Sequence, residues 1–275
     1  MKFGENLTLE IYGASHSEQL DVILKNIPSG HKIDRDKILQ FMARRAPGND
    51  PYSTPRKEKD EPTVTSGIEN GVTTGDDIKA YIKNTNRHSS DYSTIRYTPR
   101  PGHADYPAQI KYGGYQDVAG GGHFSGRLTA PLCIAGGMCK QWLEEMGIQI
   151  GAHILAVGEC GDLYFDPMDP EIESVRSDFP VLDEEAGAAM RDFIAQARAA
   201  GDSVGGILET LVLGVPEGVG EPWFDTMEGM LAHGLFSIPG VKGVEFGTGF
   251  GMADLRGSEC NDAFRMQNGR IVTTT

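Results

Sequence analysis

The chain has 275 residues, 39% of them hydrophobic, enough for one large or two small packed domains and too apolar for a disordered segment. Its formal net charge of −14 argues against a nucleic-acid-binding surface, so any polyanionic ligand has to be held by a local arginine cluster working against the overall field. No apolar run is long enough to span a bilayer and no signal-peptide pattern opens the chain, while the four cysteines (Cys133, Cys139, Cys160, Cys260) form no C-x-x-C pair, which points to a cytoplasmic protein with buried, reduced thiols and no metal site.

Alternation of Leu7, Leu9 and Ile11 predicts a strand over 7–12, running into the polar turn Gly13-Ala14-Ser15-His16-Ser17. A second apolar run covers 20–27. Pro28-Ser29-Gly30 then turns the chain, and Asp34 is placed to cap a helix over 35–45 with Ile38, Leu39 and Met42 on its inner stripe. Arg44 and Arg45 end that helix, where cations complement the helix dipole. Residues 47–66 read as an exposed polar loop carrying Arg56 and Lys57, and 76–82 as a short helix or strand. Residues 84–107, rich in His, Arg, Ser and Tyr, read as irregular; a long irregular segment in a compact domain usually serves function.

The stretch Gly120-Gly121-Gly122-His123-Phe124-Ser125-Gly126-Arg127 leads into a small-residue helix over 129–146. Glycines let backbone approach a ligand closely, and N–H groups at a helix start attract anions. Ser125 and Arg127 add a hydroxyl and a planar cationic fork, so the junction reads as an oxyanion site or, more plainly, as a tight turn before a capped helix. Beyond it come a strand over 148–159, an acidic excursion over 162–179, an alanine-rich helix opened by Asp183, a strand over 207–215 and a helix over 224–234. The order strand, Pro-x-Gly, helix occurs at Pro28-Ser29-Gly30 and again at Pro216-Glu217-Gly218, which suggests two related halves and a layered α+β fold. No G-x-G-x-x-G helix entry marks a Rossmann unit.

Two histidines stand out. His16 follows a strand in a Ser-His turn, and His103 lies in Arg100-Pro101-Gly102-His103-Ala104-Asp105, where Asp105 is placed to orient the imidazole. Arg44, Arg45, Arg100 and Arg127 each sit beside a turn or helix end and together would form a phosphate clamp. His31, His88 and His153 have no comparable context, and neither a Ser-His-Asp order nor metal-ligand spacing is present.

In order along the chain, Gly13-Ala14-Ser15-His16, Arg44-Arg45-Ala46-Pro47-Gly48, Arg100-Pro101-Gly102-His103-Ala104-Asp105 and the glycine stretch through Arg127 resemble the motifs of chorismate synthase. So do Asp202-Ser203-Val204-Gly205-Gly206, Gly220-Glu221-Pro222-Trp223-Phe224-Asp225 and Ser237-Ile238-Pro239-Gly240-Val241-Lys242-Gly243. The resemblance implies a lyase that converts 5-enolpyruvylshikimate 3-phosphate to chorismate by 1,4-anti elimination of phosphate, with reduced FMN as cofactor. It implies a β-α-α-β sandwich of antiparallel sheets around a central helical layer, one domain of two similar halves over 1–275, assembled as a homotetramer. By position it makes His16 the acid for the departing phosphate and His103 the group that protonates reduced flavin. Ser15, Arg44, Arg45, Arg100 and Arg127 become substrate contacts; His123, Phe124, Ser125, His233, Gly234 and Arg45 become flavin neighbours.

Against the family pattern, Ala14 stands for glutamate, Ser17 for glycine and His123-Phe124 for Arg-Ser. The family's later glycine-rich loop, with an arginine and an aspartate after it, has no counterpart here, so the resemblance reads the domain as C-terminally incomplete. That leaves a non-catalytic binding protein on the same scaffold as the alternative, and a flavin reductase as a third reading.

Overall fold

Period-two alternation at the N-terminal end builds a sheet whose inner face is closed by two helices. The computed structural model describes residues 1–46, 59–84, 95, 97–166, 170–175 and 179–273. Contacts divide the chain into two compact units, Met1–Gln149 and Ile150–Thr275.

The first unit contains β1 (Lys2–Phe3), β2 (Thr8–Tyr12), β3 (Gln19–Lys25), α1 (Arg35–Arg45), β4 (Thr63–Ser66), the small hairpin β5 (Ile68–Glu69) and β6 (Val72–Thr73), β7 (Ile78–Lys83), α2 (Asp105–Tyr112) and α3 (Thr129–Glu145). The main sheet has the order β1-β2-β3-β7-β4 with antiparallel neighbours throughout. On β3, Leu20, Val22 and Leu24 face inward opposite Ile82, Ala80 and Ile78 of β7. Ile38 and Met42 of α1 and Ala130, Ile134, Ala135 and Met138 of α3 pack into the same core. Each fully buried Leu, Ile or Met there contributes roughly 1.5–3 kcal/mol relative to exposure.

The two helices run antiparallel and are tied at both ends. Asp34 caps α1 by accepting from the amides of Asp36 (2.8 Å) and Lys37 (3.3 Å). Its own amide donates to Oε1 of Gln141 on α3, while Nε2 of Gln141 donates to the Asp34 carbonyl. At the other end, Nε of Arg45 donates to Oγ1 of Thr129 at the start of α3. Between them the ring of Phe41 sits so close to Gly137 that an added Cβ would lie 3.3 Å from its Cδ1.

The second unit contains all but the first residue of β8 (Gln149–Val157), with β9 (Cys160–Gly161), α4 (Glu184–Ala199), β10 (Gly206–Leu213), α5 (Met227–Phe236), β11 (Phe264–Gln267) and β12 (Arg270–Thr273). Its sheet has the order β10-β8-β9, and β11 and β12 form a separate antiparallel hairpin. Val157, Val181 and Met190 form its core, the last from α4, which Asp183 caps by accepting from the Glu185 amide.

Several expectations shift. Of the loop read over 47–66, residues 47–58, with Arg56 and Lys57, lie outside the described residues, as does His88. Residues 63–66 are not loop but strand β4, because Thr63 and Val64 find partners on β7. The 76–82 segment resolves as strand β7. The helix expected from 224 starts at Met227, since the Thr226 side chain caps it by accepting from the Gly229 amide. The cysteines are free but half-buried rather than buried.

His153, which had no evident role in the sequence, is 1% exposed on β8. Its Nδ1 lies 3.1 Å from Oδ2 of Asp162 and its Nε2 2.7 Å from Oε2 of Glu209. Only the doubly protonated ring donates to both carboxylates. Burial alone would raise the Asp162 carboxyl, but the amides of Leu182, Asp183 and Leu163 together with the His153 ring hold it below the usual carboxylate range. That contribution is present above the unfolded carboxyl's titration and is lost as pH falls through the lower folded value. His153→Leu leaves Asp162 and Glu209 without the ring that bridges them, and a loss of about 3–5 kcal/mol is expected in urea unfolding; a loss below about 1 kcal/mol would mean the triad is idle.

Candidate active site around the glycine loop

Gly120, Gly121 and Gly122 all have positive φ (61°, 90° and 52°), so the loop is left-handed backbone that side-chain-bearing residues adopt only with strain. The loop is also crowded on both sides. A Cβ at position 120 would lie 2.5 Å from Nε2 of His16 and 2.5 Å from Oγ of Ser15. At position 121 it would lie 3.0 Å from Cε1 of His103 and 3.8 Å from Nη2 of Arg100. Adjacent glycines therefore carry the two histidines singled out in the sequence, on a ribbon of bare backbone.

The turn bearing His16 is laced onto this ribbon. The Ser15 amide donates to the Gly122 carbonyl (3.1 Å), and Nδ1 of the exposed His123 lies 2.9 Å from the Gly13 carbonyl oxygen, which fixes it as the protonated ring nitrogen. Oγ of Ser125 donates to Oγ of Ser15 (3.2 Å) and accepts from the Arg127 amide (3.2 Å), closing the short turn that feeds α3. Phe124 is 41% exposed.

His103 precedes α2. Asp105, in the first turn of that helix, accepts from Nε and the amide of Arg100 at Oδ2 (2.8 and 3.1 Å) and from Arg100 Nη2 at Oδ1 (3.0 Å). Arg100 Nη2 also donates to Nδ1 of His103 (3.3 Å), which has Oδ1 of Asp105 at 3.1 Å. The Arg100 guanidinium outweighs burial and holds the Asp105 carboxyl at about 2. The same Nδ1 thus has a donor beside it for the neutral ring and a carboxylate for the charged one. The neutral ring carries its hydrogen on Nε2, the nitrogen toward the glycine ribbon.

The arginines divide. Arg127, its side chain 4% exposed, places Nη1 2.8 Å from Oδ2 and 2.7 Å from Oδ1 of Asp60, and Nε donates to Oδ1 of Asn84 (3.0 Å). Arg45 donates to the same Oδ2 of Asp60. Asn84 in turn donates to the carbonyls of Ser15 and Ser17 (3.3 and 2.9 Å). Two guanidiniums against one carboxylate leave a net positive charge here. Arg44 is exposed on α1. His233 and Gly234 lie on α5 of the second unit, His233 exposed. Asp60 and Asn84 were not anticipated: Asp60 follows Glu58 and Lys59 and reads as part of a solvated charge run, yet its side chain is fully buried.

Comparison with known proteins decides what this constellation belongs to. The family model for chorismate synthase matches residues 7–274. The chorismate synthase of Thermococcus kodakarensis is 45% identical over 273 residues, covering 99% of this chain and 75% of the relative. That of Thermococcus gammatolerans is 44% identical over 275 residues, covering 99% and 75%. A crystal structure of chorismate synthase superposes with a TM-score of 0.75 at 26% identity, covering 98% of this chain and 76% of the other.

The chain belongs to the chorismate synthase family.

It is an enzyme of that type, a lyase in chorismate formation, and its fold is the α+β fold of chorismate synthase. The span matched by the chorismate synthase model takes in the whole glycine-loop site, including Asp60 and Asn84. Among the described residues, no helix is long and apolar enough to cross a membrane.

Proposed function

We propose that this enzyme eliminates phosphate from 5-enolpyruvylshikimate 3-phosphate with reduced FMN as cofactor. The observation that carries the reading is the meeting of His16 and His103 on adjacent glycines beside a net-cationic pair of arginines. In the elimination one ring carbon loses the phosphate with its C–O electrons and another loses a proton, so the reaction has no net redox change.

The residues present fit two phosphate-bearing ligands. Arg45 and Arg127 outnumber the carboxylate they share, Ser15 and Ser125 add hydroxyls, and the bare glycines let His16 and His103 close on the loop where a Cβ would collide. Arg45, Arg127, Arg100 and Ser15 bind the substrate anion; His123, Phe124, Ser125 and Arg45 would hold the flavin. When bound, reduced FMN supplies transient electron density that helps the phosphate leave. His16, through Nε2 beside Gly120, gives a proton to the departing phosphate and so avoids expelling a fully charged leaving group. His103 would hold a proton at Nε2 for a bound flavin, while Arg100 and Asp105 fix the ring and balance its charge. A homotetrameric assembly and a cytoplasmic location belong to the same reading and rest on the family resemblance.

The deciding experiment is anaerobic turnover of the phosphorylated substrate with chemically reduced FMN, following released phosphate. Release that requires both FMN and its reduction is expected. Tight binding of both ligands without phosphate release would favour a binding protein on this scaffold, and sustained NADPH oxidation without substrate would favour a reductase.

A further inference from the structure

We propose that Asp60 is a positioning residue for the anion site: it locks Arg45 and Arg127 onto one carboxylate, so that guanidiniums from separate elements form a single phosphate-binding surface. This rests on the function proposed above. Arg45 comes from the last turn of α1 and Arg127 from the turn before α3. Like charges at this range repel. Thr129 holds Nε of Arg45 beside the start of α3, and Asp60 offsets the repulsion between the two guanidiniums that this brings together. Its side chain is fully buried, its Oδ2 accepts from Nη1 of both arginines, and Oδ1 lies 2.7 Å from Arg127 Nη1. Asn84 fixes the second face of Arg127 through Nε, which leaves the fork no freedom to swing. Asp60 itself has φ +51°, an uncommon conformation for a residue with a side chain, which the two ion pairs hold in place.

The arrangement separates two accounts that differ in sign. If only total charge matters, Asp60→Asn removes a negative charge beside the site and should tighten anion binding. If Asp60 positions the arginines, the same change lets them part and weakens binding, although the site becomes more positive.

The test is calorimetric binding of 5-enolpyruvylshikimate 3-phosphate, and separately of inorganic phosphate, to wild type, Asp60→Asn and Asp60→Glu, with thermal unfolding of each and steady-state kinetics under reduced FMN. For Asp60→Asn the dissociation constant for the phosphorylated substrate is expected to rise by about tenfold or more, since small misplacements of a clamp are costly. Unchanged or tighter binding overturns the proposal. Should Asp60→Asn not fold, Asp60→Glu decides: it keeps the charge but moves the carboxylate, and it is expected to weaken binding in protein that unfolds near the wild-type temperature. A lower unfolding temperature with unchanged affinity would make Asp60 merely structural. Wild-type protein that binds phosphate yet releases none from the substrate would sink the reaction assigned above, while the affinity comparison still judges Asp60.

Discussion

Replacing His103 by alanine is expected to slow phosphate release by about 10²-fold or more, as for loss of a positioned proton donor. The ring is exposed, so its removal costs little packing, and the deficit should lie in turnover rather than in folding. Its partners make the prediction specific. Arg100 and Asp105 stay paired without it, and the Asp105 carboxyl, held at about 2 mainly by Arg100, remains charged across any working pH. Because that value is depressed, the stability from this pair is fully present above the carboxyl's ordinary value near 3.8 and is lost only as pH falls toward about 2. A pH–rate profile taken between pH 5 and 9 therefore reports histidine and ligand, not this carboxylate. Measured by anaerobic phosphate release, a rate within a few-fold of wild type would remove His103 from the mechanism.

Gly120→Ala is expected to be as damaging to activity, for a different reason. The new Cβ would lie 2.5 Å from both His16 Nε2 and Ser15 Oγ, and these are side-chain ends that can be pushed aside. Folding should survive, with about 1–2 kcal/mol lost to left-handed backbone, whereas the displaced imidazole should cost about 10²-fold or more in turnover. Gly122→Ala provides the contrast. There the Cβ would meet the Asp117 carbonyl oxygen at 2.2 Å, backbone against backbone, so the loss should appear in the urea midpoint first. If Gly120→Ala retains near-normal turnover, the glycine ribbon does not position His16.

Local chemistry was legible in the sequence where one residue could satisfy its neighbours. Asp34 stands two and three positions before the amides it caps, and α1 spans Arg35–Arg45 as its spacing foretells. Leu20, Val22 and Leu24 alternate within a single strand, and β3 is the result. The run of glycines and the two histidine turns were visible for the same reason. What the sequence hid depends on partners far along the chain. Asp60 is unremarkable beside Glu58 and Lys59 until Arg127, 67 positions on, reaches it. His153 needs Asp162 nine positions away and Glu209 fifty-six away before its burial makes sense. Trp223–Asp225 form a separate short turn because the Thr226 side chain caps the helix beginning at Met227 and no earlier residue.

The antiparallel helices under the sheet set a further limit. With Gln141 gripping both backbone groups of Asp34 and Phe41 seated against Gly137, α1 cannot slide along α3 without breaking polar and apolar contacts together. The spacing between the base of the Arg45 side chain and the glycine ribbon is thus a built-in dimension of the scaffold. A ligand held between them has to match that dimension, which makes the helix pair a ruler for what the site will admit.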